Sequence, residues 1–134
     1  MNIFRLHFSP RKSARMMCDK HIVKMPLETA QMLCSVWHRY GHGDKVKYKE
    51  AFKNHPCTLW AGYSHINYTW LWSHGRSLCH EYTERYGKTH ACEEVIKGLL
   101  KVPFTFDNIR PTQQPQCMPD EYKVSGDAVK AYRN

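Results

Sequence analysis

His21, Lys24, Glu28 and Gln31 stand at offsets of 0, 3, 7 and 10 in a stretch rich in helix formers. On a helix those offsets place all four side chains on one face. An imidazole, an ammonium, a carboxylate and an amide in a row can grip a phosphate and move a proton. The carboxylate can also stabilise cationic character at a sugar carbon. The plainer reading of Lys24 and Glu28 is an ordinary solvated i,i+4 pair, worth about 0.3–0.5 kcal/mol. A second polar row, His65, Thr69, Trp72 and Arg76, has offsets of 0, 4, 7 and 11 in a segment dense in aromatics. Packed antiparallel against the first row, it would complete a cleft of His, Glu, Lys, Arg and indole suited to a base and a phosphate, with Lys53 nearby. Core packing is the plainer reading of its tryptophans.

Both rows need helices to carry them. Residues 2–8 read as an extended arm, and Ser9-Pro10 supplies an N-cap followed by proline at the first helical position. One helical stretch is expected from there to Tyr40, stopped by Gly41 and Gly43 and kinked or broken at Pro26. Val23, Leu27, Ala30, Cys34 and Trp37 are expected to face the core, with the first polar row beside them. After a basic loop over 41–54, His55-Pro56 opens a second long helix reaching Tyr86 and stopped by Gly87. A third should run from Thr89 to about Leu100. Pro103, Pro111, Pro115 and Pro119 make 101–120 an irregular strap, followed by a short helix from about Asp127 to Arg133. The fold class is therefore all-α: a single compact domain over 1–134, two long helices dominant, and a Pro-rich C-terminal strap.

Composition narrows the partners. With 42% hydrophobic residues and 13% aromatics in 134 residues, the chain has the makings of a real core. Lys and Arg outnumber Asp and Glu 20 to 12, a net charge of +8 that favours polyanions. No apolar run approaches the ~20 residues that span a bilayer, and MNIFRLHFSPRK has no secretory pattern. The expectation is a cytoplasmic monomer without a membrane partner. The six cysteines are evenly spread with no CxxC pair, so they read as reduced, mostly core residues. The nine histidines show no recurrent ligand spacing, so neither a metal nor a cofactor is expected.

A resemblance enters at Asp19-Lys20-His21, with Glu28 seven positions after the histidine and Pro26 beside it. This pattern resembles the phage-type pyrimidine-dimer DNA glycosylase/AP lyases. The arm NIFRLHF is similar to the start of their bacterial relatives. The stretch from His55-Pro56 to Glu84-Arg85-Tyr86-Gly87 is similar to their second long helix. Residues 1–40 and 55–87 carry the likeness.

The resemblance implies a nucleophile in the α-amino group of Met1, which attacks C1′ to form a Schiff base. An α-amine has a pKa near 7.7–8.0, so much of it is uncharged near neutrality. Glu28 becomes the catalytic carboxylate and His21 a positioning or phosphate-side group. Asn2, Arg5, Lys24, Gln31, His55, His65, Trp72 and Arg76 become the substrate-binding set. DNA is the implied partner, in the cytoplasm, that of a phage-infected host cell included. Some features depart from the family: Asn2 follows Met1 where a small residue is usual, which favours retention of Met1, and Leu27 and Gln31 stand where arginines would be useful. Tyr122-Lys123 and Tyr132-Arg133 only faintly echo the family's aromatic–lysine tail. Two other readings remain open: the same scaffold acting on a modified base or free nucleotide, and a basic nucleic-acid binder without catalysis.

Overall fold

The computed structural model describes residues 2–134. The Met1 expectation thus lies outside the described residues. Six α-helices follow in order: α1 (Pro10–Arg15), α2 (Asp19–Arg39), α3 (Pro56–Tyr63), α4 (His65–Tyr86), α5 (Glu93–Lys97) and α6 (Ala128–Arg133). Short 3₁₀ turns occupy Gly43–Lys45 and Asp120–Tyr122. Among the described residues there is no sheet, only an isolated bridge between Ser64 and Asn108. The chain is all-α, and among the described residues no helix is long and apolar enough to cross a membrane.

Each long helical stretch expected from sequence is divided by a residue in extended conformation. Ser9 caps α1 as expected, its side chain accepting from the Lys12 amide. The chain then turns at Met16–Met17, and Cys18 (φ −70°, ψ 160°) restarts the helix as α2. The turn lets Ala14 and Met17 join Ile22, Met25 and Leu78 in a small apolar cluster. Pro26 does not break α2, which runs on to Arg39. The second stretch divides at Ser64 (φ −144°, ψ 157°), whose side chain caps α4 by accepting from the Asn67 amide. Gly87, at φ 70°, closes α4 in the left-handed conformation that favours glycine. The third helix is only Glu93–Lys97, because His90 instead accepts from the Cys92 amide and pairs with the Val23 carbonyl.

The buried face of α2 differs from the expected one. Ile22, Met25, Thr29, Met32, Leu33 and Val36 are buried, with Ala30, Cys34 and Trp37. Val23 and Leu27 are exposed at 46% and 41%, which corrects their assignment to the core. The face rotates because α2 packs against both α3 and α4. The Trp37 indole donates to the Tyr68 hydroxyl, while Thr29 meets Gly75, so α2 and α4 run antiparallel. A Cβ at Gly75 would lie 2.8 Å from Thr29 Cγ2, and glycine is what admits this close approach. The main core lies between these helices and is closed by Phe106 from the strap.

Candidate active site

With Val23 and Leu27 turned outward, Glu28 sits at the edge of the buried face of α2. Its side chain is 13% exposed, and the far more open Lys24 ammonium is 3.6 Å away. A carboxylate largely withdrawn from water interacts more strongly with charge than a solvated one. Across from it, His55 caps α3, with Nδ1 accepting from the Cys57 amide at 3.1 Å. Burial lowers the His55 pKa, and the Glu28 carboxylate pulls it back upward. The two groups therefore share an electrostatic neighbourhood. With Nδ1 accepting, neutral His55 carries its proton on Nε2 and is a donor there.

The opening arm is fixed against this end of α3. Asn2 Nδ2 donates to the Cys117 carbonyl at 3.1 Å, and Asn2 Oδ1 accepts from the Tyr132 hydroxyl at 2.7 Å. Ile3 is buried, and its carbonyl accepts from Gln114 Nε2 at 2.6 Å. Cys57 Sγ lies 3.9 Å from Asn2 Oδ1, which ties the arm to the turn of α3 that His55 caps. Burial pushes the Tyr132 pKa up to about 12, so its hydroxyl remains a donor throughout the neutral range. Residues 2 and 3 are thereby held from three sides.

Beside the arm opens a pocket of about 410 Å³, whose lining includes Asn2, Phe4, His21, Met118, Tyr122 and Tyr132. That volume suits a small organic group. The His21 ring stacks on Phe4, centroids 4.3 Å apart and planes 6° from parallel. Phe4 in turn meets Tyr132 edge-on at 5.9 Å. His21 is thus a wall of this pocket, and Gln31 is half-buried further along α2.

The other candidates lie elsewhere. His65 meets Phe106 at 5.5 Å and borders a separate hollow of about 680 Å³ formed by the strap. The Trp72 indole donates to the Ile96 carbonyl of the α5 segment at 2.7 Å, and Arg76 lies over that ring at 5.8 Å. Arg76 borders a third hollow with Arg11 and His80. Arg5 is half-buried with its guanidinium 4.4 Å above the Trp70 ring. Lys53 borders a hollow with Arg39 and Glu50. Asn2, His21 and His55 thus stand along the arm and the start of α3, with Glu28 acting on His55 electrostatically and Lys24 paired to Glu28, while His65, Trp72 and Arg76 face other surfaces. Tyr132, Cys117 and Gln114, which fix the arm, carry no local sequence signal, since they lie 111 to 130 residues from their partners.

Three comparisons with known proteins bear on this geometry. Residues 1–94 match the sequence model of a family described as pyrimidine dimer DNA glycosylase. No curated protein and no solved structure matches. The matched segment takes in the arm, Glu28 and His55 and ends inside α5; the strap and α6 lie beyond it.

Proposed function

The chain belongs to the pyrimidine dimer DNA glycosylase family, and from that premise we propose that it cleaves the sugar–base bond of a damaged nucleotide in DNA through an N-terminal Schiff base, with Glu28 as the catalytic carboxylate. The α-amine adds at C1′ as the base departs with the bonding electrons. The sugar ring opens to an imine linking protein and DNA. Loss of a proton from C2′ then expels the 3′-phosphate, which is the lyase step. Glu28 stabilises the cationic sugar and carries protons between these stages. His21 lines the pocket beside the arm, and His55 Nε2 is offered as a donor to the nucleotide.

One observation carries this reading. Glu28, sheltered from water, shares its surroundings with His55, and His55 caps the helix turn against which residues 2 and 3 are pinned. A terminal amine works as a nucleophile only if the arm presents it reproducibly, and the bonds at Asn2 and Ile3 supply that constraint. The net charge of +8 suits the approach to a phosphate backbone.

The test is a duplex carrying one cyclobutane pyrimidine dimer, assayed beside a matched abasic duplex. Scission of one glycosyl bond of the dimer is expected, read as free base after photoreversal because the cyclobutane ring otherwise keeps the cut base tethered, together with strand cleavage of both duplexes. Cleavage of neither would refute the proposal, and glycosyl scission without any nick would remove its lyase half.

A further inference from the structure

Cys57 is fully buried in the first turn of α3, and Cys117 reaches it from the strap. Their Sγ atoms stand 3.6 Å apart although they are 60 positions distant in sequence, and both thiols are free. A His55 nitrogen completes a group whose three ligating atoms all lie within 4.8 Å of one another. In a tetrahedral site with metal–sulfur bonds of about 2.3 Å, two thiolates on one ion are separated by about 3.8 Å. The two sulfurs already stand close to that spacing.

We infer that His55, Cys57 and Cys117 form a binding site for a thiophilic divalent cation of the zinc class. Two thiolates and one imidazole are soft and borderline donors, which select zinc over magnesium or calcium. The charges balance as well: two thiolates in a buried space repel each other, and a dication between them cancels both. Binding displaces one proton from each thiol, so two protons leave for each ion bound. The imidazole can ligate without a proton shift through Nδ1, exchanging its 3.1 Å cap bond to the Cys57 amide for the metal. Asn2 Oδ1 lies 3.9 Å from Cys57 Sγ and adds an oxygen donor next to the three ligands. Cys117 and Asn2 both line the 410 Å³ pocket, which gives an aqueous ion its route in.

No spacing in the sequence announces this site, because its ligands come from two distant segments. An ion there ties the strap to α3 and occupies His55.

Cobalt(II), added to the fully reduced protein as a spectroscopic stand-in for zinc, tests the site itself. One equivalent should produce thiolate-to-cobalt charge transfer in the near ultraviolet and the intense visible bands of a tetrahedral ion. Equimolar zinc should bleach both, and calorimetry in buffers of different ionisation heat should count two protons released. Cys117→Ser, at a half-buried position, should retain the wild-type circular dichroism, lose about half of the charge-transfer intensity, and bind at least about tenfold more weakly. Only weak octahedral bands in the wild-type protein would overturn the inference, as would charge transfer that Cys117→Ser leaves unchanged. The wild-type spectrum decides the matter even if the variant folds poorly.

Discussion

The Tyr132 hydroxyl donates to Asn2 Oδ1 across 2.7 Å, joining residues 130 positions apart. It also accepts from the Cys117 amide at 3.1 Å, so one phenol links the opening arm, the strap and α6. Tyr132→Phe removes both bonds and leaves the ring in place. A stability loss of about 1–2 kcal/mol is expected on urea unfolding. Turnover should fall further than that loss explains, because residue 2 is freed beside the reacting centre, while DNA affinity should hardly change. Unchanged kcat in a stably folded variant would deny the clamp a part in the reaction.

Glu28→Gln separates shape from charge. The variant keeps the size of the side chain and removes the ionisable group. DNA affinity should stay within about threefold of wild type, allowing for a freed Lys24. Base release and strand cleavage should fall to a few per cent or less. Retention of more than about a tenth of the rate, a barrier change below ~1.4 kcal/mol, would remove Glu28 from the catalytic role.

Stability on the acid side should be governed largely by His74. This residue is buried, and desolvation lowers its pKa to about 4, against 6.5 for the free group. Above pH 6.5 both the folded and unfolded states hold it neutral. Between 6.5 and 4 the unfolded chain binds a proton that the folded chain refuses, so stability is lost as pH falls. The loss should be about 2 kcal/mol between pH 7.5 and 5, before most carboxylates titrate. His55, also lowered by burial, adds with the same sign. Urea midpoints across that range should fall in the wild-type protein and fall much less in His74→Gln, where the smaller His55 contribution remains. Parallel curves would contradict the assignment.

Trp72 separates a packing role from a binding role. Its indole is tied to the Ile96 carbonyl and packs against the main core. Trp72→Ala should therefore cost about 2–4 kcal/mol of stability. At a temperature where the variant is folded, DNA affinity and its salt dependence should match wild type. A selective loss of about 1–3 kcal/mol in binding would instead mean that the indole stacks on a base.

How much of this was legible in the sequence depended on distance along the chain. Ser9-Pro10, His55-Pro56 and Gly87 marked helix ends because capping is decided within a few residues. Ser64 gave the same kind of signal, with Asn67 three residues on, but the apolar run around it concealed the break. Helical period alone does not decide the buried face of α2 at Val23 and Leu27, since two offset apolar sets satisfy the same period and tertiary packing chooses between them. His21, Lys24 and Glu28 could be grouped from helical spacing alone. Tyr132, Cys117 and Gln114 could not, because their partners are at the other end of the chain.

Reductive trapping followed by peptide mapping tests most directly whether the chain's terminal amine forms the Schiff base. The protein is mixed with an abasic duplex, reduced with borohydride and digested, and the nucleotide remnant is located by tandem mass spectrometry. Lys24 is a poor competitor because its ammonium is paired with Glu28 at 3.6 Å, and an α-amine is far more often uncharged near neutrality than a lysine. A covalent adduct is expected on the first residue's α-nitrogen, in a yield that a non-removable N-terminal extension abolishes while leaving DNA binding intact. A remnant mapped to Lys24 or Lys20, or the absence of any adduct from an enzyme that releases bases, would contradict the terminal-amine mechanism.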